Sequence, residues 1–436
     1  MNKLYIALSL TLLLLFATAC ETKVELCEEP VHPHAPRVSY SFLWDIHREG
    51  HETIPVDTMY VIANRVINQW KSSMVVSATD QPSRGYYFYT DLIDTQPRQS
   101  ETEPADTTGT ALAEENLRPG VDIPTSEFHI KAGEYKFFAF NMDTTELIYN
   151  NVFEFMQAPP EEQKLLRDVY VTYKTYPKDG NKGQLRNIIQ DWTDYNPYAQ
   201  YIQPDILPVY FDTLAVTKIQ MSPEPIDVYF RPKTLTQDID IYFNINKIVD
   251  VEPFVIDSIR AEISGIPLSV NLSNGYIDIQ HTAKMMFTTT LIRPVTQQNL
   301  SQTPFADTPA NTQLGCYAHI NVPSLVANQS SDVFTGPGIM QVMIYTHSQN
   351  ADPRLEGQRV VVKKMQGKIN LYNTLNQAKL YEITDDGKHA RRKEVQATLF
   401  INAEPITIDG EKIIRSADNN GGLDIWEPAD HIIIDI

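Results

Sequence analysis

Apolar and polar positions alternate one by one along most of this chain. Val38, Tyr40, Phe42, Trp44 and Ile46 are separated by Ser39, Ser41, Leu43 and Asp45. Five aromatic or branched side chains in phase at period two predict a half-buried strand. The signature recurs at residues 59–67, at 86–89, at Tyr135, Phe137 and Ala139, and at Val169, Val171, Tyr173 and Thr175. A second block starts near Pro223. It holds Ile226, Val228 and Phe230, then Ile239, Ile241, Phe243 and Ile245, then Ile259, Ala261 and Ile263. Residues 339–345, 360–362, 395–401 and 432–436 complete the set.

Helical spacing is scarce. Pro159, Pro160, Glu161 and Glu162 suit a first helical turn and predict a short helix to about residue 167. Residues 371–381 are spaced as a second. Ser264-Gly265 reads as a turn, Asn274-Gly275 as a hairpin, and the Pro/Thr/Glu/Asp-rich stretch 97–120 as a solvated loop. Many short strands parted by turn residues predict an all-β chain built as β-sandwiches, with too little helix for alternating β-α units. The Pro-spotted stretch 203–225 divides the two blocks. The expected organisation is an N-terminal β-sandwich over 38–210 and a C-terminal one over 211–436.

The first residues depart from this pattern. Lys3 is followed by an uncharged apolar run over 4–16, then by Ala17, Thr18, Ala19 and Cys20. A basic start, a short apolar middle and small residues at a cut site predict a signal peptide over 1–19. The run is shorter than the roughly 20 residues a membrane span needs. The cysteine directly after the small residues resembles a bacterial lipobox, although Ala17 stands where Leu is usual. That resemblance implies lipidation at Cys20, and acyl chains hold a body to a membrane by burial of about 0.8 kcal/mol per CH₂. Residues 20–37, with Pro30, Pro33 and Pro36, read as a tether.

Composition narrows the partners. A net charge of −19 and a pI near 4.9 disfavour nucleic acid and acidic lipid surfaces. Of three cysteines, Cys20 is assigned to lipid. Cys27 and Cys316 either pair in an oxidising compartment or stand as a tether thiol and a small buried hydrophobe.

No nucleotide-binding motif or serine nucleophile elbow is present, and no paired acids stand out, so no enzyme activity, catalytic residue or cofactor is expected. No metal site is expected either. His32 and His34 lie in the tether, and His47 and His51 bracket a glycine-containing turn. The oxygen-rich run 418–424 lacks the closing Glu of a calcium loop. Lys388, Arg391, Arg392 and Lys393 read as a charged hairpin tip, with an anion contact as the alternative. Tyr86, Tyr87, Phe88, Tyr89, Phe137 and Phe138 are core aromatics or, alternatively, a stacking surface for sugars.

Several segments together carry a family resemblance. They are the Cys20/Cys27 pair with its His-Pro tether, the strand VSYSFLWDI, GEYKFFAFNMDTTELIYN over 133–150, DSIRAEISGIPLSVNLSNGYIDI over 257–279, and the terminal GGLDIWEPADHIIIDI. These resemble the fimbrillin-associated lipoproteins of Bacteroides-type bacteria. The resemblance implies two tandem transthyretin-like, Greek-key β-sandwich domains with short helices. It implies a lipid-anchored outer-membrane protein at the cell surface, serving as a fimbrial anchor or accessory subunit. Its partners would be other fimbrial or surface proteins, met by β-strand pairing. It also implies a protease site at an arginine, for which Arg37 stands just before the first strand. The alternative reading is a surface carbohydrate-binding or carbohydrate-processing lipoprotein.

Overall fold

Strands that are apolar on both faces set the layering. In Gly133–Phe140, Tyr135, Phe137 and Ala139 point one way while Phe138 and Phe140 point the other, and all five are buried. A strand of this kind is stable only between two cores. The structure, a computed structural model, describes residues 36–44, 56–67, 71–77, 85–90, 127–130, 132–156, 165–177, 199–204, 209–222, 224–249, 253–348, 359–393, 396–401, 405–410, 412–414, 423–425 and 429–435. The fold is all-β, with four sheets among the described residues. Short helices occupy Val152–Met156 and Tyr372–Ala378, and a single 3-10 turn occupies Leu166–Asp168. That turn lies where the sequence predicts the end of a helix; the rest of the predicted helix, 159–164, is outside the described residues.

The largest sheet has 13 strands. Its central run is Gln237–Lys247, Gln313–Val322, Thr282–Ile292, Phe254–Pro267, Ile339–Ser348 and Arg359–Asn370, each hydrogen-bonded to the next. A seven-stranded sheet centres on Gly133–Phe140, with Thr58–Arg65 on one side and Tyr210–Thr213 and Thr217–Ile219 on the other. A six-stranded sheet runs from Tyr381–Ile383 to Leu147–Asn150. A three-stranded sheet places Arg37–Phe42 between Ile226–Phe230 and Glu127–His129. Among the described residues, pairing crosses the stretch 203–225 three times. Ile226–Phe230 runs parallel to Arg37–Phe42, Gln200–Ile202 runs parallel to Thr282–Ile292, and Ser269–Asn271 runs antiparallel to Tyr170–Tyr173.

Two main cores result. The small one packs the three-stranded sheet on the seven-stranded sheet through Val38, Tyr40, Phe42, Met59, Val61, Phe137, Val228 and Phe230. The large one lies on the opposite face of the seven-stranded sheet. It gathers Ile62, Phe138 and Phe140 with the aliphatic faces of the long strands, such as Ile239, Ile241, Ile259, Ile263, Val342 and Ile344.

One predicted turn is a different device. Ser264-Gly265 lies inside the 14-residue strand Phe254–Pro267, at a shift of register against Thr282–Ile292. Gly265 has φ +91, and a Cβ there would sit 2.6 Å from the Gly338 nitrogen and 2.7 Å from the Val326 oxygen. This is a β-bulge that only glycine fits. Its backbone takes up two neighbouring segments, since Val326 N–H donates to the Gly265 carbonyl and Gly338 N–H to that of Ser264. The Asn274-Gly275 signal does mark a tight turn, with Gly275 at φ +71 between Ser269–Asn271 and Tyr276–Asp278.

Candidate strand-pairing edges

The first strand is pinned from both sides. Val38 through Phe42 pair in register with Ile226 through Phe230, and Arg37 through Ser39 pair with Glu127 through His129. Leu43 N–H donates to the Phe230 carbonyl, and Ile130 N–H to that of Pro36. Tyr40 and Phe42 lie against Phe230, with ring centroids 5.9 and 5.5 Å apart. The Arg37 backbone is therefore already part of a sheet. A protease needs an extended substrate backbone free to enter its cleft, so cleavage at Arg37 requires this strand end to peel away first. The outer neighbour, Ile226–Phe230, forms an edge among the described residues. Asp227 and Tyr229 are exposed there, and the Asp227 carboxylate accepts the Ser39 hydroxyl. A charge on an edge strand opposes unplanned pairing.

The second edge is Ala429–Asp435. Ile432, Ile433, Ile434 and Asp435 pair antiparallel with Arg359 through Val362, and the register then shifts so that Ala429 faces Lys364. Among the described residues this strand has that one strand partner. Its other side presents main-chain donors and acceptors, the feature strand addition uses.

The remaining candidates separate clearly. Cys20, Cys27, His32, His34, His47, His51 and the loop 97–120 lie outside the described residues, as does most of 418–424. Cys316 is fully buried on Gln313–Val322 within the large core, and burial pushes its thiol pKa up. Phe137 and Phe138 are core residues, so neither presents a face to a sugar. The side chains of residues 86–89 are outside the described set.

The basic cluster is split by the structure. The Arg392 guanidinium turns inward and donates to the Thr234 and Thr236 carbonyls, and burial lowers its pKa to about 10. Lys388, Arg391 and Lys393 remain around the turn. That turn is organised by Asp386, which accepts the Lys388 and His389 N–H groups, the Thr384 hydroxyl and the His389 ring. These donors, His389 first, hold the Asp386 carboxyl well below the usual range. Among the described residues no group of three or more metal-ligating side chains converges.

A polar cluster that the sequence reading missed lies on the outer face of Gln237–Lys247. Asp240 accepts from the Tyr317 hydroxyl at 2.9 Å and meets His319 Nδ1 at 3.0 Å, while Gln302 bridges Asp240 and the Tyr242 hydroxyl. The hydrogen bond that Asp240 accepts from the His319 ring raises the His319 pKa. The available signal was DIDIYF, where each Asp occupies the outward phase of an alternating strand. Among the described residues no helix is long and apolar enough to cross a membrane.

No family model matches the sequence, and no curated protein matches it. Solved structures do. A proposed adhesin from Bacteroides thetaiotaomicron aligns over 88% of this chain and 95% of its own, at 12% identity and a TM-score of 0.40. A proposed adhesin from Bacteroides ovatus aligns over 88% and 93%, at 9% identity and a TM-score of 0.37. The fimbrial anchor protein Mfa2 from Porphyromonas gingivalis aligns over 72% and 77%, at 11% identity and a TM-score of 0.29. The chain resembles Bacteroides adhesin-type proteins and a fimbrial anchor.

Proposed function

We propose that this chain is a cell-surface lipoprotein of the outer membrane that acts as a fimbrial anchor or accessory subunit, without enzymatic activity, by pairing a β-strand with a partner subunit. The observation that carries this reading is the strand Ala429–Asp435, apolar in sequence and set at the edge of the largest sheet with one described strand partner. An edge of this kind binds through main-chain hydrogen bonds and takes specificity from alternate side chains. The signal-like start and the lipobox-like Cys20 support attachment by lipid. The proposed organisation is two tandem transthyretin-like β-sandwich domains on a tether.

Three experiments divide the reading. Deletion of Ile432–Ile436 is expected to abolish co-purification with fimbrial subunits while the protein stays membrane-bound. Unaltered fimbriae on such cells refute the pairing role. Cys20→Ser is expected to release the body from the membrane fraction, and retention there refutes lipid anchoring. Saturable, sugar-specific binding on a glycan array would instead favour the carbohydrate reading.

A further inference from the structure

We propose that Lys247 and Asp307 are a site of spontaneous covalent modification, joining through an amide bond between the two side chains. Lys247 ends Gln237–Lys247, and Asp307 lies in the connection between Thr282–Ile292 and Gln313–Val322. Both side chains are fully buried, and Nζ stands 2.8 Å from Oδ2. The other two directions around Nζ are taken by the Phe254 carbonyl at 2.8 Å and the Thr308 carbonyl at 3.1 Å. The Phe254 ring lies 4.9 Å from the same nitrogen and walls it from water.

An ordinary buried ion pair is retained when every polar atom is satisfied. Here it is not. Oδ2 takes Lys247 and the Ile256 N–H, whereas Oδ1 is buried without a hydrogen-bond partner. In the reaction one proton passes from Nζ to the Asp307 carboxylate across their direct contact, so no outside base is needed. The resulting neutral amine keeps two N–H groups on the Phe254 and Thr308 carbonyls. Its lone pair is then left facing the Asp307 carboxyl.

The step balances without any co-reactant. Nζ attacks Cγ, the Nζ–Cγ bond forms, the Cγ–Oδ1 bond breaks, and Oδ1 leaves with two protons as water, while Oδ2 stays as the amide carbonyl that accepts the Ile256 N–H. An ammonium and a carboxylate become one amide and one water, with no change of oxidation state. The amide removes both buried charges and the orphan oxygen. Holding the reactants at contact distance in a water-poor site supplies the proximity that such a condensation lacks in solution. The link ties the end of a central strand to a loop 60 residues further along the chain.

The test is peptide mapping of the full chain purified from membranes, denatured and digested with trypsin, followed by tandem mass spectrometry. The expected result is a branched peptide joining the Lys247 and Asp307 segments, lighter than the two linear peptides by one water, with no cleavage after Lys247. Linear peptides of full mass, cut after Lys247, overturn the proposal. A water loss confined to a linear Asp307 peptide, as from a succinimide, overturns it as well. In Lys247→Arg the branched species is expected to vanish and the Asp307 peptide to return at full mass; persistence of the branched species there overturns the assignment. The wild-type map decides the matter even where that variant folds poorly.

Discussion

The two main cores are built on opposite principles, although they share the strand Gly133–Phe140. The large core is aliphatic and comes mostly from the long strands of the largest sheet, all drawn from residues after 236. The small core is aromatic, with Tyr40, Phe42, Tyr135, Phe137, Tyr210 and Phe230 among its members. Its roof consists of three short strands drawn from chain-distant places, around residues 40, 128 and 228. The Ser39–Asp227 bond alone spans 188 residues. Contacts of such separation close long loops before they are rewarded, so they form late in folding. The contrast locates plasticity. The roof is the part expected to open first, and the long-strand sheet the part expected to hold.

The sharpest way to break this comparison is Tyr40→Ala. Tyr40 is 1% exposed and touches Phe137 and Phe230. A cost of roughly 3–5 kcal/mol is expected from a large-to-small change in such a core. Hydrogen exchange should show Arg37–Phe42 and Ile226–Phe230 losing protection while Phe254–Pro267 keeps it. Equal loss in both places would mean that the two cores are one cooperative unit. The reciprocal change is Gly265→Ala in the large core. Forcing alanine into a positive φ costs about 1–3 kcal/mol, before the clash with Gly338 and Val326 is counted. A lowered urea midpoint is expected, with exchange rising across Phe254–Pro267 and Ile339–Ser348.

The same contrast explains what could be read from the residues. Strands whose inward positions are bulky and branched, such as Ile239, Ile241, Phe243 and Ile245, are plain at period two, and they form Gln237–Lys247. Gln313–Val322 is equally central yet escapes notice, because its inward positions include Cys316 and Ala318, whose small side chains dilute the alternation. Thr282–Ile292 escapes because four of its eleven residues are threonine and its inward set begins with Ala283. Ser264-Gly265 has the chemistry of a turn, but the long strand around it converts that freedom into a bulge. Pairing of Arg37–Phe42 with Ile226–Phe230 was not legible, since parallel partners nearly two hundred residues apart leave no local mark. The edge position of Ala429–Asp435 was equally hidden, because alternation tells which face a residue takes and nothing about which neighbour the strand acquires.

Smaller effects test how the remaining polar contacts are spent. Arg392→Ala removes the guanidinium donor from the Thr234 carbonyl and leaves the Thr236 carbonyl with the Thr234 hydroxyl alone, at a cost of about 1–3 kcal/mol. The loss should appear as faster exchange in the hairpin Tyr381–Ile383 and His389–Arg392, leaving the small core untouched.

The least change is expected from His319→Gln. Its partner Asp240 raises the folded-state pKa of His319 above the ordinary value of 6.5, against an opposing effect of burial. A raised histidine contributes stability that is fully present below the unfolded value and lost as pH climbs through the folded one. The wild type should therefore exceed the variant by more at about pH 6 than at about pH 8.5. Because 45% of the side chain is exposed, solvent screens the pair and keeps the difference small. Paired denaturant melts at the two pH values read it directly. A gap that is constant with pH would show that His319 acts on this face through packing and neutral hydrogen bonding, and that its charge is not used.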